Sequence, residues 1–174
     1  MRNKPRVRAG IVGSGFAAKL HYEGLGRVYG ADVDLVGIFS PTASHAQRFA
    51  EPRGLRTFPS LNALLSEVEV VHVCASPAAH EGIAILALER GVHAIVEKPL
   101  TGWFGDSSES FQAANVSMQQ ALTGALASID RMREAEVKSK AMILYAEKLG
   151  VRAGHSEGAG DHRKDRRAGA LDAW

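Results

Sequence analysis

The segment GIVGSGFAA, Gly10 to Ala18, decides the fold, because it places the pattern G-x-G-x-x-[GA] at a junction between a strand and a helix. The β-rich run Val7 to Val12 predicts a buried strand, and Phe16 to Tyr29 predicts a helix that Gly30 ends. The pattern alone is weak evidence in a chain rich in glycine and alanine. Its position after a strand and before a helix supplies the specificity and indicates a dinucleotide-binding turn.

Each small residue of this pattern has an expected task. Gly13 permits the tight turn, Gly15 lets a pyrophosphate approach the backbone, and Ala18 keeps the helix close to the sheet. The N-terminus of the helix would then face the phosphates. The alternative is a tight turn that binds no ligand. The candidate cofactor contacts in the turn are Gly13, Ser14, Gly15, Phe16 and Ala17.

Strand-like and helix-like segments alternate along the chain as far as Glu147. Nearly continuous apolar strands separated by helices predict an α/β fold, a Rossmann doubly wound parallel sheet with helices on both faces. We expect residues 1–147 to form one dinucleotide-binding domain. The predicted strands are 7–12, 33–39, 55–58, 68–74, 92–96 and 141–145, and the predicted helices are 16–29, 43–51, 60–67, 78–90 and 117–140, with a polar stretch at 101–115.

Composition excludes several classes of protein. The chain has 174 residues, 45% of them hydrophobic and 23% charged, and no apolar run approaches the roughly 20 residues that cross a bilayer. Residues 1–147 hold fifteen basic and fifteen acidic side chains, a balance that argues against nucleic-acid or membrane-surface partners. A lone cysteine, Cys74, fits a reducing compartment, and we expect a cytoplasmic protein.

The end of the second strand bears on the choice of cofactor. An acidic residue usually binds the ribose hydroxyls there, whereas this chain has Ser40, followed by Pro41 and Thr42. Without the carboxylate, a 2′-phosphate is not repelled, which permits NADP. No arginine is adjacent to hold that phosphate, and Arg48 lies on the following helix, so the choice between NAD and NADP stays open with a slight lean to NADP. Ser40 and Thr42 are candidate cofactor contacts. They could equally form only a helix N-cap.

Two further motifs follow the fourth and fifth strands, ASPAAH at Ala75 to His80 and EKP at Glu97 to Pro99. Ligands of parallel sheets lie at the carboxyl ends of strands, so both motifs are expected near the nicotinamide. With GIVGSGFAAKLH and VHAIVEKPL, the chain resembles the glucose–fructose oxidoreductase/inositol dehydrogenase (Gfo/Idh/MocA) family over roughly Val7 to Tyr145.

The resemblance implies an NAD(P)-dependent oxidoreductase acting on a secondary alcohol of a sugar or cyclitol. It implies that Lys98 is catalytic and lies beside the nicotinamide and the substrate hydroxyl, while Glu97 helps to hold the site. An ammonium near a developing alkoxide stabilises its charge, and a partly desolvated lysine can exchange a proton. The alternative is a solvated Glu–Lys pair at a strand end.

The match after the fourth strand is less complete, since the family often has Thr-Pro where this chain has Ala75 and Ser76. Together with Pro77 and His80, these residues are candidate cofactor contacts, although His80 could merely cap its helix. His21 matches a histidine of the family and is expected to be a packing residue. Cys74 is expected in the core.

In the family a second domain supplies the substrate pocket and usually the dimer interface, and residues 148–174 do not resemble it. This tail has six basic and four acidic residues and no apolar periodicity, so we expect disorder. His155, Asp161 and His162 are not expected to bind a metal. We interpret the tail as the product of a frameshift near Lys148.

We therefore expect a chain without the substrate domain, without the family's dimer interface and without dehydrogenase activity of its own. It would bind a nicotinamide dinucleotide, and a small sugar-like substrate only if a second domain is supplied. The competing hypotheses are a non-catalytic dinucleotide-binding module and a Rossmann protein for another adenine nucleotide, against which the EKP motif argues.

Overall fold

A computed structural model describes residues 4–103, 105 and 116–147. Most of the polar stretch predicted at 101–115 lies outside these ranges. So do the tail at 148–174 and the histidine and aspartate side chains in it that we did not expect to bind a metal.

The strands and helices alternate as the sequence predicts. The glycine segment joins the first strand to the first helix, and every later strand in the described ranges is also preceded by a helical segment. The elements are β1 (Arg6–Val12), α1 (Phe16–Leu25), β2 (Asp32–Phe39), α2 (Ala43–Ala50), a 3₁₀ turn (Glu51–Arg53), β3 (Arg56–Thr57), α3 (Leu61–Leu65), β4 (Val70–Val73), α4 (Pro77–Glu89), β5 (His93–Glu97), α5 (Met118–Lys138) and β6 (Ile143–Ala146).

The six strands form one parallel sheet in the order β3-β2-β1-β4-β5-β6. This is the doubly wound order, in which the chain reverses direction across the sheet between β1 and β4. A crevice at the carboxyl ends of these two central strands is therefore the expected ligand position. The glycine turn, the β4 end and the β5 end all lie along that edge.

Alternate residues of each strand pack on opposite faces, and this divides the core in two. Ile11 packs with Ala18 of α1 and Phe49 of α2, whereas its neighbour Val12 belongs to a cluster that includes Leu64 of α3 and Met132 of α5. Helices α1 and α2 thus cover one face, and α3, α4 and α5 cover the other. The prediction of helices on both faces is confirmed.

Several element boundaries differ from the predictions, among them the end of α1 and the start of β4. Helix α1 ends at Leu25, with Gly26 at its C-cap, and not near Gly30. Gly24 and Gly26 explain the early end, because glycine in a helix interior costs about 1 kcal/mol relative to alanine. Strand β4 begins at Val70, two residues later than predicted.

Helix α5 is fastened to α4 by polar contacts. The guanidinium of Arg131 donates to both carboxylate oxygens of Glu81, at 2.5 and 2.9 Å, and Ser139 Oγ donates to the Leu88 carbonyl at 2.6 Å. Ser117 and Gln120 form a capping box at the start of the helix.

No helix in the described ranges is long and apolar enough to cross a membrane.

Candidate functional site

The glycine turn is closed on one side and open on the other. Gly13 has φ of +102°, and a Cβ there would lie 2.7 Å from the Cys74 carbonyl carbon at the end of β4. Gly15, the N-cap of α1, has extended backbone angles, and a Cβ there would meet no atom of the described residues within 4 Å. Gly13 is therefore required for packing between strands, whereas the space at Gly15 is available to a ligand.

The first turn of α1 suits an anion. Gly15 provides no side-chain cap, and the first turn contains no acidic residue, so its backbone N–H groups are directed toward the open space. Phe16 is 77% exposed beside them. Ala18, the last small residue of the pattern, is buried against Ile11 and Ile38, as predicted.

The end of β2 lies against the glycine turn. Ser14 Oγ is 3.4 Å from Ser40 Oγ, and the Gly13 amide donates to the Phe39 carbonyl at 2.8 Å. Thr42 is the N-cap of α2, but its side chain makes no capping hydrogen bond. Thr42 thus occupies the N-cap position that we gave as the alternative role of this segment, but only its backbone takes part. Its side chain is exposed.

A cleft of about 620 Å³ extends from the glycine turn along α2. Its volume is in the range of small-molecule sites. Basic side chains make up much of its lining, and their positive charge favours the binding of a phosphate. The lining residues are Ser14, Gly15, Phe16, Lys19, His45, Arg48, Phe49 and Arg53.

Arg53 is held rigidly in this cleft. Its guanidinium carbon lies 4.1 Å from the centre of the Phe49 ring and 5.2 Å from that of Tyr22, and Nη1 donates to the Phe49 carbonyl at 2.7 Å. Its Nε is buried without a hydrogen-bond partner in the described part of the chain. Arg48 was a candidate from the sequence, and Arg53 was not.

The segments after β4 and β5 are joined by His80. This side chain is 1% exposed, with Nδ1 at 3.0 Å from the Pro99 carbonyl oxygen and Nε2 at 3.2 Å from that of Ala75. Ser76 is the N-cap of α4 and Pro77 its first residue. His80 thus lies beneath both motifs, and its two nitrogens face backbone oxygens.

Glu97 and Lys98 have different surroundings although they are neighbours. The Glu97 side chain is 18% exposed, and its Oε2 accepts a hydrogen bond from the Lys98 amide at 3.1 Å. The Lys98 side chain is exposed at the carboxyl edge of the sheet, and the Lys98–Pro99 peptide bond is cis.

A buried histidine, His72, joins the site although the sequence analysis did not single it out. It lies on β4 between Val71 and Val73, and its Nδ1 is 2.7 Å from Nδ1 of His21 on α1. Nε2 of His21 is in turn 3.0 Å from Oε1 of Glu97. His21, which is expected from the sequence to be a packing residue, thus also has polar partners at both ring nitrogens.

Burial changes the acid–base behaviour of two groups near Glu97. It lowers the pKa of His72 to about 4, and the nearby His21 adds to this effect. Burial also raises the pKa of the Cys74 thiol to about 12, with a further rise from the Glu97 charge. Cys74 packs in the core on the α1 side as predicted, and a thiol of such high pKa is a poor nucleophile.

The candidate site thus combines open space at a helix N-terminus with the two motifs that follow β4 and β5. In the described ranges, no three His, Cys, Asp or Glu side chains are arranged to hold a metal ion. Residues 7–125 match the family described as an oxidoreductase family with an NAD-binding Rossmann fold, GFO_IDH_MocA. The chain belongs to this family.

Curated relatives of this Gfo/Idh/MocA chain include dehydrogenases of nucleotide sugars and cyclitols. It is 31% identical over 129 residues to the UDP-N-acetylglucosamine 3-dehydrogenase of Acidithiobacillus ferrooxidans, covering 74% of the chain and 39% of the relative. It is 34% identical over 115 residues to the inositol 2-dehydrogenase of Leifsonia xyli, covering 64% and 32%. The chain thus spans about a third of the length of these relatives.

Solved structures share the fold. A dehydrogenase of Bordetella pertussis in complex with NADH and UDP-GlcNAcA superposes with a TM-score of 0.64 at 20% identity, covering 82% of this chain and 35% of that one. Biliverdin reductase of a Synechocystis species, in complex with biliverdin and NADP⁺, gives 0.61 at 22% identity, covering 80% and 37%. At these identities the likeness concerns the fold alone.

The lowered pKa of His72 predicts a loss of stability in acid. Because its folded-state pKa of about 4 lies below the unfolded value of 6.5, the unfolded chain takes up the proton first as the pH falls. The contribution of His72 to the free energy of unfolding is complete above pH 6.5 and is lost progressively as the pH falls to 4. The expected loss from this group is about 3 kcal/mol.

Urea unfolding at pH 7 and pH 4 checks this expectation in the parent and in His72→Leu, which has no proton to gain at this position. Other groups titrate in both proteins, so the difference between the two pH-dependent losses isolates His72. Equal losses in the parent and the variant would contradict the prediction.

Proposed function

We propose that this chain binds a nicotinamide dinucleotide, NADP(H) in preference to NAD(H), and serves an oxidoreductase that acts on a secondary alcohol of a sugar or cyclitol. The cofactor supplies hydride transfer when it is bound. The residues of this chain hold its phosphates, place its nicotinamide end and control a proton near the substrate alcohol.

The observation that carries the proposal is the contrast between Gly13 and Gly15. A Cβ at Gly13 would strike the β4 backbone, which is a structural reason for glycine that needs no ligand. No atom in the described part of the chain gives such a reason at Gly15, where a Cβ would point into open space before a helix N-terminus. A pyrophosphate approaching the backbone supplies the missing reason.

The preference for NADP rests on charge at the end of β2. The segment Ser40 to Thr42 offers two hydroxyl groups and no carboxylate, while Arg48 lines the cleft that begins at the glycine turn. A 2′-phosphate placed between them would gain a charge-assisted hydrogen bond from the guanidinium. Arg53 and Lys19 add positive charge to the same cleft.

The nicotinamide end is proposed to lie by the strand ends that His80 joins. Ala75, Ser76 and Pro77 would line it from β4 and α4, and Glu97 and Lys98 from β5. We assign the catalytic role to Lys98, whose exposed amino group could accept the proton of a substrate alcohol in its neutral form and hold that proton as an ammonium. The names of the curated relatives support a ring alcohol as the substrate class.

Titration with NADH and NADPH, followed by nicotinamide fluorescence, tests the binding step. A dehydrogenase assay with inositol and nucleotide sugars tests the chemical step. Binding without turnover would identify a dinucleotide-binding module that needs a further domain for catalysis. Failure to bind either dinucleotide would reject the proposal.

The substitution Gly15→Val should abolish dinucleotide binding without unfolding the protein. The new side chain fits the extended backbone and the open space, so we expect a stability change of no more than about 1 kcal/mol. It would occupy the pyrophosphate position and weaken binding at least about a hundredfold. Chemical denaturation and NADPH titration measure the two effects.

Gly13→Ala is the matched comparison, because it should lose stability through positive φ and backbone contact, by about 2 kcal/mol or more. If Gly15→Val binds NADPH as the parent does, the phosphates are not located at this turn.

Arg48→Ala should weaken NADPH about tenfold and NADH less than twofold, because only NADPH carries the 2′-phosphate. The exposed Arg90, at the end of α4, provides the control variant Arg90→Ala, which should bind both as the parent does. An equal loss of affinity for NADPH and NADH in Arg48→Ala would show that the arginine does not contact the 2′-phosphate.

Lys98→Ala should leave the Kd for NADPH within about threefold in this chain, since phosphate and ribose contacts carry most of the binding energy. The same substitution in a full-length relative with the same Glu-Lys-Pro motif should lower kcat at least about a hundredfold. Unchanged kcat in that relative would remove the lysine from the catalytic role.

A further inference from the structure

Three side chains from separate elements form a polar chain inside the sheet edge. His72 of β4 contacts His21 of α1 through their Nδ1 atoms at 2.7 Å, and His21 contacts Glu97 of β5 at 3.0 Å. The imidazole rings meet edge to face, with centroids 5.0 Å apart at 82°. The Lys98 amide extends the chain by donating to Glu97 Oε2.

Proton positions make His72 necessary to this arrangement. A carboxylate only accepts hydrogen bonds, so His21 carries a proton on Nε2. A neutral His21 then accepts at Nδ1, and His72 is the donor; a doubly protonated His21 donates there, and His72 accepts. In either state, the second nitrogen of His21 is satisfied by the His72 ring.

Packing alone gives no reason for an imidazole at this position. His72 is 7% exposed, and its neighbours in the strand are Val71 and Val73. Adjacent strands place Ile11 and Ile95 beside it. A branched apolar side chain would fill such a position in a parallel sheet, whereas an imidazole must be desolvated and needs a partner.

The geometry points to a positioning role. We propose that His72 holds His21, that His21 holds the Glu97 carboxylate, and that this carboxylate fixes the Lys98 main chain at the nicotinamide end of the site. His72 lies under the sheet edge and acts only through the two residues between it and the lysine. The placement of the nicotinamide rests on the proposed function, but the polar chain itself does not.

The first experiment needs no cofactor. In the ¹⁵N-labelled full chain, a scalar coupling between the two Nδ1 nuclei of His21 and His72 is expected across their hydrogen bond. Hydrogen exchange of the Lys98 amide should be about tenfold faster in His72→Leu than in the parent. His72→Asn, which can present an amide N–H or oxygen near the Nδ1 position, should restore slow exchange.

His93→Leu is the matched control. His93 also lies on a strand of this sheet, but its Nδ1 accepts from the Met142 amide at 3.3 Å and does not join the polar chain. Exchange at Lys98 should be unchanged in this variant. Unchanged exchange in His72→Leu, or equally fast exchange in His72→Leu and His72→Asn, would overturn the proposal. If His72→Leu does not fold, the absence of the coupling in the parent would overturn it.

The second experiment connects the polar chain to the cofactor. ADP-ribose shares every part of NADH except the nicotinamide. An effect on the Kd for NADH that is absent for ADP-ribose therefore comes from the nicotinamide end of the site. His72→Leu should weaken NADH about fivefold and ADP-ribose less than twofold. Equal Kd values for NADH in His72→Leu and the parent would reject the positioning role. A parent that binds neither of these ligands nor NADPH would reject the proposed function and leave the exchange test to decide on the polar chain.

Discussion

The close approach of Gly13 to the end of β4 is the contact on which the site depends. A Cβ at Gly13 would lie 2.7 Å from the Cys74 carbonyl carbon, so only glycine lets β1 turn at this point. The turn then lies against β2 as well, through the hydrogen bond from the Gly13 amide to the Phe39 carbonyl. Because α1 begins three residues later, at Phe16, this packing places its N-terminus over the crevice where the sheet reverses its winding.

The two ends of the crevice are built in different ways. The proposed phosphate end is made of open backbone and basic side chains, with Gly15 at its centre and Arg48 in its lining. The other end is made of buried polar side chains that connect strands, with His80 holding two backbone oxygens and His21 joining His72 to Glu97. A diphosphate is bound by charge and by N–H groups, whereas hydride transfer requires fixed distances, and the difference in construction matches these needs.

The sequence predicted the features that depend on local pattern. The glycine segment and the alternation of apolar runs were sufficient to predict a doubly wound parallel sheet with helices on both faces. They also predicted that Ala18 is buried between the first helix and the sheet. His72 was not found, because a single histidine in an apolar strand has no local signature and its partner His21 is 51 residues away. Helix α1 is shorter than predicted because it ends at Leu25 with Gly26 as its C-cap, four residues before Gly30. Arg53, like His72, has no local signature in the sequence, because its place in the cleft depends on stacking against Tyr22 and Phe49.

The central claim is that one dinucleotide spans the crevice from the glycine turn to the end of β5. Amide chemical shifts of the ¹⁵N-labelled chain, followed during titration with NADPH, test it most directly. We expect large shifts at Ser14 and Gly15 together with shifts at Ala75 and Lys98. Shifts confined to the other face of the sheet, in the groove between α4 and α5, or no shifts at saturating NADPH, would contradict it.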